Sequence, residues 1–506
     1  MLRFGLFVAS ILFVSPLASP TQAEPPGRND LARAYLRFDR LAAESEATTA
    51  VRRRLNARFD ALTADFFAGR SGRVIVALAR AEAEQRGLGA RETDELLFAL
   101  TRRLDLDAEC FAPSSTKALR IGAQVQTFDE APAGVEPSAI YAKSGQLRIE
   151  VPYAARVTLE WAGDTVDRVI EVGFRFERLG DVELARLPAL ETSPDLLKQS
   201  FMQRIEAAAA VGDVGPSVLS SLRARCALLG ARAGDGNAYA LFVDRAELAQ
   251  ELERDLTALE AGQDPFRSTK DVWRTFKALG VELPTRVFVP EGEGPFPLLV
   301  AFHGAGGDEH MFFEAYGAGA LRRLAERFGI ALVAPPTVPF GLSPALFDRF
   351  VDEVAQDPRI DGARIMLLGH SLGAVTCSRL AALRPDRVAA AAAIAGFADA
   401  GRGAAAPRLV CIAELDPIFR ADGLDAAVDA ARARGCEIEV VRFPDEGHTL
   451  VVGAALPQAV DWLLARRARS TDAANPAAST PSTRPMKTGV PASSENAASP
   501  SAGPTK

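Results

Sequence analysis

A serine, a carboxylate and a histidine perform acyl transfer when they form a hydrogen-bonded chain. The carboxyl-terminal half of this sequence contains candidates for all three. Residues 369–373 have the sequence Gly-His-Ser-Leu-Gly, in which Ser371 is the candidate nucleophile. A serine hydroxyl is a weak nucleophile until an adjacent base accepts its proton. We therefore expect a base and an orienting carboxylate elsewhere in the chain.

The chain contains four histidines, and their positions favour one of them as the base. His370 directly precedes Ser371, so its side chain is directed away from the hydroxyl. His303 and His310 come before the serine, whereas hydrolases with this serine motif carry their residues in the order serine, acid, histidine. His448 remains as the predicted general base.

The orienting acid is expected between the serine and the histidine, after the end of a strand. Residues 408–413 form a buried apolar run, and Asp416 follows it. We favour Asp416 as the group that accepts a ring N–H of His448 and stabilises the imidazolium. Asp399, which follows the preceding predicted strand, and Glu414 remain alternatives.

An acyl-transfer site also needs N–H donors for the oxyanion that develops in the transition state. The backbone N–H of Leu372, directly after the nucleophile, is the first predicted donor. The second is that of Ala305 in the glycine-rich segment 303–307, because glycines let the backbone approach a ligand closely. A phosphate-binding loop would require a following Lys-Ser or Lys-Thr pair, which this segment lacks.

Regular elements must place these groups, and the sequence around the serine predicts them. Residues 365–368 are apolar and lie between Gly362 and Gly369, which is typical of a buried parallel strand. Small residues and good helix formers follow at 374–382. A strand, a G-x-S-x-G turn and a helix form a nucleophile elbow, which raises the serine hydroxyl above the sheet edge.

Together these groups resemble the α/β-hydrolase family over about residues 270–467. Segments 296–304, 334–336 and 357–361 are similar to the branch that contains polyhydroxybutyrate depolymerases, feruloyl esterases and dienelactone hydrolases. Prolyl oligopeptidase-type catalytic domains are relatives of this branch. The resemblance implies an α/β fold with a mostly parallel sheet and flanking helices. It also implies a Ser-Asp-His serine hydrolase that acts on carboxylic esters.

Composition divides the rest of the chain into further segments. Residues 1–23 have the positive start, short apolar stretch and small residues of a signal peptide, which predicts export to a periplasm or beyond. Residues 24–265 form a predicted accessory region, helical to about Leu106, strand-rich at about 118–190 and then helical again. Residues 468–506, rich in Ala, Pro, Ser and Thr, are predicted to be disordered.

Two pairs of aromatic residues have alternative roles. Tyr153 and Trp161, in the alternating strand pattern, either form a platform for a polysaccharide or polyester surface or pack in the core of their own sheet. Phe312 and Phe313, after the glycine-rich segment 303–307 (the donor loop), either pack in the core or line an acyl pocket. Large apolar side chains are more often buried in the core than exposed.

The chain carries five cysteines and a net charge of −7. No cysteines have the short paired spacing of a zinc site, and we expect neither a metal nor a cofactor. Cys110 and Cys226 either form a disulfide or remain two buried thiols. The modest charge gives no reason to expect a nucleic-acid partner. No segment after the signal peptide is apolar over the length that a membrane span needs.

The predicted function is that of an exported serine esterase, which cleaves small-molecule or polymeric esters through an acyl-enzyme on Ser371. The alternatives are a non-catalytic binding protein on a hydrolase scaffold and a serine peptidase of the prolyl oligopeptidase type. The full set of nucleophile, base, acid and donors favours the enzyme. Residues 396–407 are too few for a helical cap, so only the amino-terminal region is available to cover Ser371.

Overall fold

The computed structural model describes residues 25–44, 48–108, 119–161, 169–188, 192–211, 214–230, 245–267, 270–401 and 405–474. The predicted signal peptide and residues 475–506 of the predicted tail lie outside the described residues, as does Cys110. Every predicted catalytic and donor residue lies within them.

The amino-terminal unit, residues 25–188, combines a helical layer with two small antiparallel sheets. Its helices are α1 (Arg28–Glu44), α2 (Thr49–Ala61), α3 (Thr63–Phe67), α4 (Ser71–Gln85) and α5 (Ala90–Leu100). Its strands are β1 (Arg102–Ala108), β2 (Leu119–Thr127), β3 (Ala139–Ser144), β4 (Leu147–Pro152), β5 (Arg156–Trp161), β6 (Val169–Arg175) and β7 (Asp181–Pro188). The strand orders are β1-β2-β5 and β4-β3-β6-β7. The polar–apolar alternation at 118–190 thus forms sheets with one buried face.

The first helical block ends earlier than the sequence pattern predicted. The segment up to Leu106 was expected to be helical, but α5 ends at Leu100 and β1 follows. In β1, Leu104 and Leu106 alternate with charged residues, and this period of two suits a strand with one buried face. Pairing of β1 with β2 over seven residue positions then satisfies the backbone.

Tyr153 packs against the core of the small sheets. Its ring lies edge-on to Phe98 and Phe174, with centroid distances of 5.6 and 5.9 Å. This packing supports the core interpretation of Tyr153 over that of an exposed binding platform. The side chain of Trp161 lies outside the described residues.

Three bridging helices connect the two large parts of the chain: α6 (Pro194–Val211), α7 (Pro216–Leu229) and α8 (Arg245–Glu260). Their buried residues, among them Leu222 and Leu252, belong to one core that continues into Val272 and Leu283 of the large sheet. The predicted boundary between residues 265 and 270 therefore does not separate two cores.

Cys226 lies in this shared core as a free thiol. It donates to the carbonyl oxygen of Lys198 across 3.4 Å. Burial raises the pKa of the Cys226 thiol to about 11, so the group is neutral at physiological pH. The proposed partner, Cys110, lies outside the described residues, so the pairing of Cys110 with Cys226 stays a prediction.

The eight-stranded unit, residues 270–474, contains the predicted nucleophile motif. Its strands are β8 (Asp271–Ala278), β9 (Val281–Phe288), β10 (Phe296–Phe302), β11 (Ala331–Ala334), β12 (Ile360–His370), β13 (Val388–Ile394), β14 (Arg408–Ala413) and β15 (Ile438–Phe443). Its helices are α9 (Met311–Glu314), α10 (Tyr316–Phe328), α11 (Val338–Leu342), α12 (Pro344–Val354), α13 (Leu372–Leu383), α14 (Ala421–Ala433) and α15 (Val451–Ala474).

The strand order of this sheet is β15-β14-β13-β12-β10-β11-β9-β8. The pairs β8–β9 and β9–β11 are antiparallel, and the other pairs are parallel. Every residue of β13 and β14 is buried, because helices cover both faces of the sheet. Two hydrophobic cores, one on each face, result. The predicted α/β fold with a mostly parallel sheet is confirmed.

The β13–β14 connection and the last helix of the eight-stranded unit bear on the predictions about a cap and about the end of the unit. No helix occurs between β13 and β14 among the described residues of that connection, which leaves the unit without an inserted cap there. The last helix, α15, continues to Ala474, beyond the predicted boundary at residue 467. Within the described ranges, no helix is both long enough and apolar enough to cross a membrane.

Candidate active site

Ser371 lies at the sharp turn between β12 and α13. Its backbone has φ 53° and ψ −116°, a conformation that is strained for any residue with a side chain. A Cβ atom at Gly369 would overlap the carbonyl oxygen of Gly373, and one at Gly373 would overlap the carbonyl oxygen of Phe302. The motif therefore needs glycine at both positions, because backbone segments meet there without space for a side chain.

The structure brings Ser371, His448 and Asp416 together in one chain of hydrogen bonds. His448 Nε2 lies 3.0 Å from Ser371 Oγ, and His448 Nδ1 lies 2.8 Å from Asp416 Oδ2. The three residues follow β12, β15 and β14, whose carboxyl ends share one edge of the sheet. Because the Nδ1–H of His448 donates a hydrogen bond to Asp416, Nε2 is free to accept a proton from the serine hydroxyl.

These three residues are buried, and the carboxylate is held by further hydrogen bonds. Asp416, His448 and Ser371 are 5%, 6% and 8% exposed. The second carboxylate oxygen of Asp416 accepts the backbone N–H groups of Ile418 and Phe419 at 2.7 and 2.9 Å. The Phe419 ring lies nearly parallel to that of His448, with a centroid distance of 6.0 Å. Exclusion of water strengthens electrostatic interactions among these groups.

The structure places the two alternative acids away from the histidine. Asp399 binds Arg408 at 3.0 Å and Arg434 at 3.1 Å. Burial opposes ionisation of Asp399, but hydrogen bonds from Arg434 and Arg408 hold its pKa below the usual range. Glu414 is exposed and pairs with Arg442 at 3.5 Å. Of the three carboxylates, Asp416 makes the contact with His448.

The first predicted oxyanion donor directly follows the nucleophile, and the loop that carries the second approaches it. Leu372 is the first residue of α13, so its N–H belongs to the free amino-terminal end of a helix. Ala305 follows Gly304, whose added Cβ would lie 3.3 Å from the Cβ of Ser371 and 2.8 Å from His370 Nδ1. Ala305 itself is exposed in a turn. Glycine at 304 thus lets the donor loop approach the elbow.

Tyr316 and His370, for which the sequence predicts no role, connect the donor loop to the histidine loop. The histidine loop is residues 444–450, between β15 and α15. The N–H of Gly304 donates to the Tyr316 hydroxyl at 3.3 Å, and this hydroxyl lies 2.7 Å from His370 Nδ1. His370 Nε2 lies 2.9 Å from the carbonyl oxygen of His448. Because a carbonyl only accepts, Nε2 carries the proton and Nδ1 accepts from Tyr316.

Burial is the main cause of two pKa shifts in this network. It lowers the pKa of His370 well below its ordinary value, and the nearby His448 lowers it further. It also raises the pKa of Tyr316 above the ordinary range. Both groups are therefore neutral at physiological pH, which the directions of their hydrogen bonds require. The position of His370 beside the nucleophile was the only sequence feature that marked it.

Tyr316 begins a left-handed turn that the amino-terminal unit supports. Residues 316–319 all have positive φ, including Tyr316 and Ala318, which lack the freedom of glycine. The carboxylate of Asp39, in α1, accepts the N–H groups of Gly317 and Ala318 at 3.3 and 2.8 Å. The guanidinium of Arg323 donates to the carbonyl oxygens of the same two residues. These contacts offset the strain of the turn.

Helix α2 of the amino-terminal unit contacts the histidine loop directly. Asn56 accepts the N–H of Gly447 at 2.8 Å, and Asp60 accepts the N–H of His448 at 3.1 Å. Burial is the main cause that raises the pKa of Asp60 to about 6. No pattern in the sequence identified Asn56 or Asp60, since both residue types are common on helix surfaces.

Phe312 and Phe313 are core residues. They are 1% and 4% exposed and pack among the apolar residues under α10 and α15. A cavity of about 470 Å³ adjoins the donor loop instead, with a lining that includes Trp273, His303 and Val338. The structure therefore does not support the acyl-pocket alternative for the two phenylalanines, because their rings face the interior.

Comparisons with known proteins yield similarity in structure only. No family model matches the sequence, and no curated protein matches it. S-formylglutathione hydrolase from Staphylococcus aureus is 16% identical, with a TM-score of 0.34, and the match covers 38% of this chain and 96% of that chain. An esterase from Pyrobaculum calidifontis is 18% identical, with a TM-score of 0.32, over 44% of this chain and 92% of that chain.

The feruloyl esterase module from Clostridium thermocellum is also similar, at 13% identity and a TM-score of 0.32, over 38% of this chain and 86% of that chain. These three proteins are named as hydrolases or esterases, and each match covers less than half of this chain. The strand order and the nucleophile elbow are features of this chain itself. The eight-stranded unit therefore has the α/β-hydrolase fold.

Proposed function

We propose that this protein is a serine hydrolase that cleaves carboxylic esters through an acyl-enzyme on Ser371. One observation carries the proposal: the hydrogen-bonded chain from Ser371 Oγ through the ring of His448 to Asp416. The strained turn at Ser371 adds support, because such strain is concentrated at functional sites.

The chemistry follows from the positions of the protons. His448 Nε2 accepts the hydroxyl proton as Ser371 Oγ attacks the ester carbonyl carbon, and a tetrahedral intermediate forms. The imidazolium then donates this proton to the leaving alkoxide oxygen as the C–O bond breaks, which leaves the acyl group on Oγ. A water molecule attacks the acyl carbon with the same proton transfers and releases the carboxylic acid and free Ser371.

Asp416 and the two N–H donors stabilise the charges that develop. The Asp416 carboxylate faces the imidazolium, and its other oxygen is held by two backbone N–H groups. The N–H groups of Leu372 and Ala305 are assigned to the oxyanion. Loss of one such donor typically reduces kcat by about 10²–10³-fold.

A fluorophosphonate probe and a short soluble ester test this proposal. We expect the probe to label wild-type protein at Ser371 and the protein to hydrolyse p-nitrophenyl butyrate, while Ser371→Ala loses both properties. Ser378→Ala is a matched control, since its hydroxyl donates to the Ala374 carbonyl inside α13. A folded wild-type protein that neither reacts with the probe nor cleaves esters would instead be a binding protein on a hydrolase scaffold.

We also propose that the chain is exported. The positive start and short apolar stretch within residues 1–23 support this proposal. Expression of the full chain, followed by fractionation and amino-terminal sequencing, tests it. Export predicts a mature chain that begins near residue 24, and retention of the intact chain in the cytoplasm would contradict it.

A further inference from the structure

We propose that Asn56 and Asp60 are positioning residues for His448, so that helix α2 of the amino-terminal unit is part of the active site. This inference rests on the proposed function. It assigns to the amino-terminal unit a role in catalysis, in place of the separate accessory role that the sequence suggested. Both residues act through the backbone of the histidine loop and do not touch the substrate.

Both polar side-chain atoms of Asn56 are hydrogen-bonded, to this loop and to the carbonyl oxygen of Arg52 in its own helix. The residue is completely buried. Its Oδ1 accepts the N–H of Gly447 at 2.8 Å. Its Nδ2 donates to the carbonyl oxygen of Asp445 at 3.1 Å and to a carboxylate oxygen of Glu446 at 3.0 Å. A buried amide with these partners fixes the loop, because water does not reach its polar atoms and cannot take the place of the partners.

Asp60 lies one helical turn after Asn56, on the same face of α2. Its Oδ2 accepts the N–H of His448 at 3.1 Å. A Cβ atom at Gly447 would overlap this same oxygen and would lie 3.1 Å from Asn56 Oδ1. The loop therefore approaches α2 as closely as glycine permits. Ion pairs of Arg52 with Glu446 and of Arg53 with Asp445 flank the contact.

The two units hold opposite ends of the same residue. Asp60 binds the N–H of His448, and His370, in the eight-stranded unit, binds its carbonyl oxygen. The ring nitrogens face Asp416 and Ser371. Removal of the α2 contacts would leave the amide side of His448 without its support. A displacement of about 1 Å at a catalytic group can cost about 10²-fold in rate.

The charges around Asp60 give this contact a measurable dependence on pH. Burial is the main cause that raises the pKa of Asp60 to about 6; His448 lowers this pKa, and Asp416 and Glu446 raise it. On its own helix, Arg52 is engaged with Glu446 and Arg53 with Asp445. Asp60 is thus ionised at pH 8, where its negative charge favours the imidazolium of the transition state, and neutral at pH 4.

The experiment uses the full-length chain with the variants Asp60→Ala, Asp60→Asn and Asn56→Ala. We expect Asp60→Ala and Asn56→Ala to lower kcat for p-nitrophenyl butyrate by about 10–10²-fold with KM changed less than about threefold. Asp60→Asn keeps an acceptor for the N–H of His448 but not the negative charge, so it should recover only part of the lost rate at pH 8. The wild-type acid limb should be steeper than one proton predicts, whereas that of Asp60→Asn should fit one proton.

Glu84→Ala is the matched control, because it removes surface ion pairs of α2 with α4 without touching the loop. It should leave kcat unchanged. Unchanged kcat in both Asp60→Ala and Asn56→Ala, with wild-type Ser371 still labelled by the fluorophosphonate, would overturn the positioning role alone. If Asp60→Ala does not fold, equal pH profiles of wild type and Asp60→Asn would overturn it. Failure of wild-type labelling would instead overturn the proposed function.

Discussion

The eight-stranded unit and the amino-terminal unit both contribute to the candidate site, but in different ways. In the eight-stranded unit, Ser371, Asp416 and His448 each follow a strand whose end lies at one edge of the sheet. In the amino-terminal unit, Asp39, Asn56 and Asp60 lie within helices and reach the site only because α1 and α2 pack against it. The first unit supplies reactive groups and the second supports the loops that carry them.

Because of this difference, the rate should respond differently to substitutions in the two units. Replacement of a reactive side chain removes its chemical group entirely. The support of a loop is shared among several contacts, so replacement of one supporting side chain removes only part of it. We therefore expect the largest effects on rate in the eight-stranded unit and intermediate effects at the contact between the two units. The smallest effects, on the pH dependence of stability, should appear where a buried group titrates without taking part in proton transfer.

The largest expected effect separates Asp416 from its alternatives. Asp416→Asn should lower kcat by about 10⁴-fold, because the amide does not stabilise the imidazolium or hold the required tautomer. Asp399→Asn should keep kcat within about threefold but lower the free energy of unfolding by about 3 kcal/mol, since it weakens the pair with the buried Arg408. Glu414→Gln should change neither quantity.

Ester hydrolysis and urea denaturation of these three variants provide the measurements. The assignment of the acid would be wrong if Asp399→Asn abolished turnover while Asp416→Asn retained it. The contacts of the three carboxylates in the structure make the opposite result the expected one.

The second prediction concerns the contact between the units. Gly447→Ala adds a Cβ that overlaps Asp60 Oδ2, so the histidine loop must move away from α2. We expect kcat to fall by about 10–10²-fold. The double variant Gly447→Ala with Asp60→Ala should be no slower than Asp60→Ala alone, because the smaller side chain leaves space for the new methyl group.

Gly423→Ala is the matched glycine control. Gly423 lies in α14 with no atom within 4 Å of an added Cβ. Its replacement should leave kcat unchanged and raise stability by up to about 1 kcal/mol. Equal kcat values for Gly447→Ala and wild type would show that the histidine loop tolerates displacement from α2.

The smallest expected effect is on the pH dependence of stability. Burial lowers the pKa of His370, so the unfolded chain takes up its proton at a higher pH than the folded chain does. The contribution of His370 to the free energy of unfolding is fully present above its pKa in the unfolded chain, about 6.5. This contribution is lost as the pH falls through and below that pKa. The raised pKa of Asp60 acts in the opposite direction, since its contribution is lost as the pH rises from about 4 to about 6.

Urea denaturation of wild type and His370→Gln between pH 7 and pH 5 isolates the histidine. The free energy of unfolding of wild type minus that of the variant should decrease as the pH falls. The shared contribution of Asp60 cancels in this difference. A difference that does not change with pH would contradict the neutral, buried state of His370.

Much of the eight-stranded unit was predictable because its chemistry follows local patterns. The elbow is encoded within five residues, and its glycines are needed for contacts with Gly373 and Phe302 that any such turn makes. The order serine, acid, histidine selected His448 from four histidines. The sequence favoured Asp416 as the acid but left Asp399 and Glu414 open, since all three lie near the ends of predicted strands.

Other features escaped sequence analysis because they depend on distant partners. Asn56 and Gly447 are 391 positions apart, and no periodicity of α2 indicates that its polar face meets a loop. The bridging helices have the pattern of an independent helical block, yet their apolar faces share a core with the large sheet. The strand β1 was missed because its few alternating residues follow directly after a helix.

The α/β class, the nucleophile turn and the candidate catalytic residues follow from the sequence alone, because local sterics and strand order dictate these features. The packing of distant elements selects the carboxylate that binds His448, joins the two loops through His370 and Tyr316, and places α2 against the histidine. These contacts form when separate elements pack, and complementarity between folded surfaces leaves no pattern in a single segment of chain.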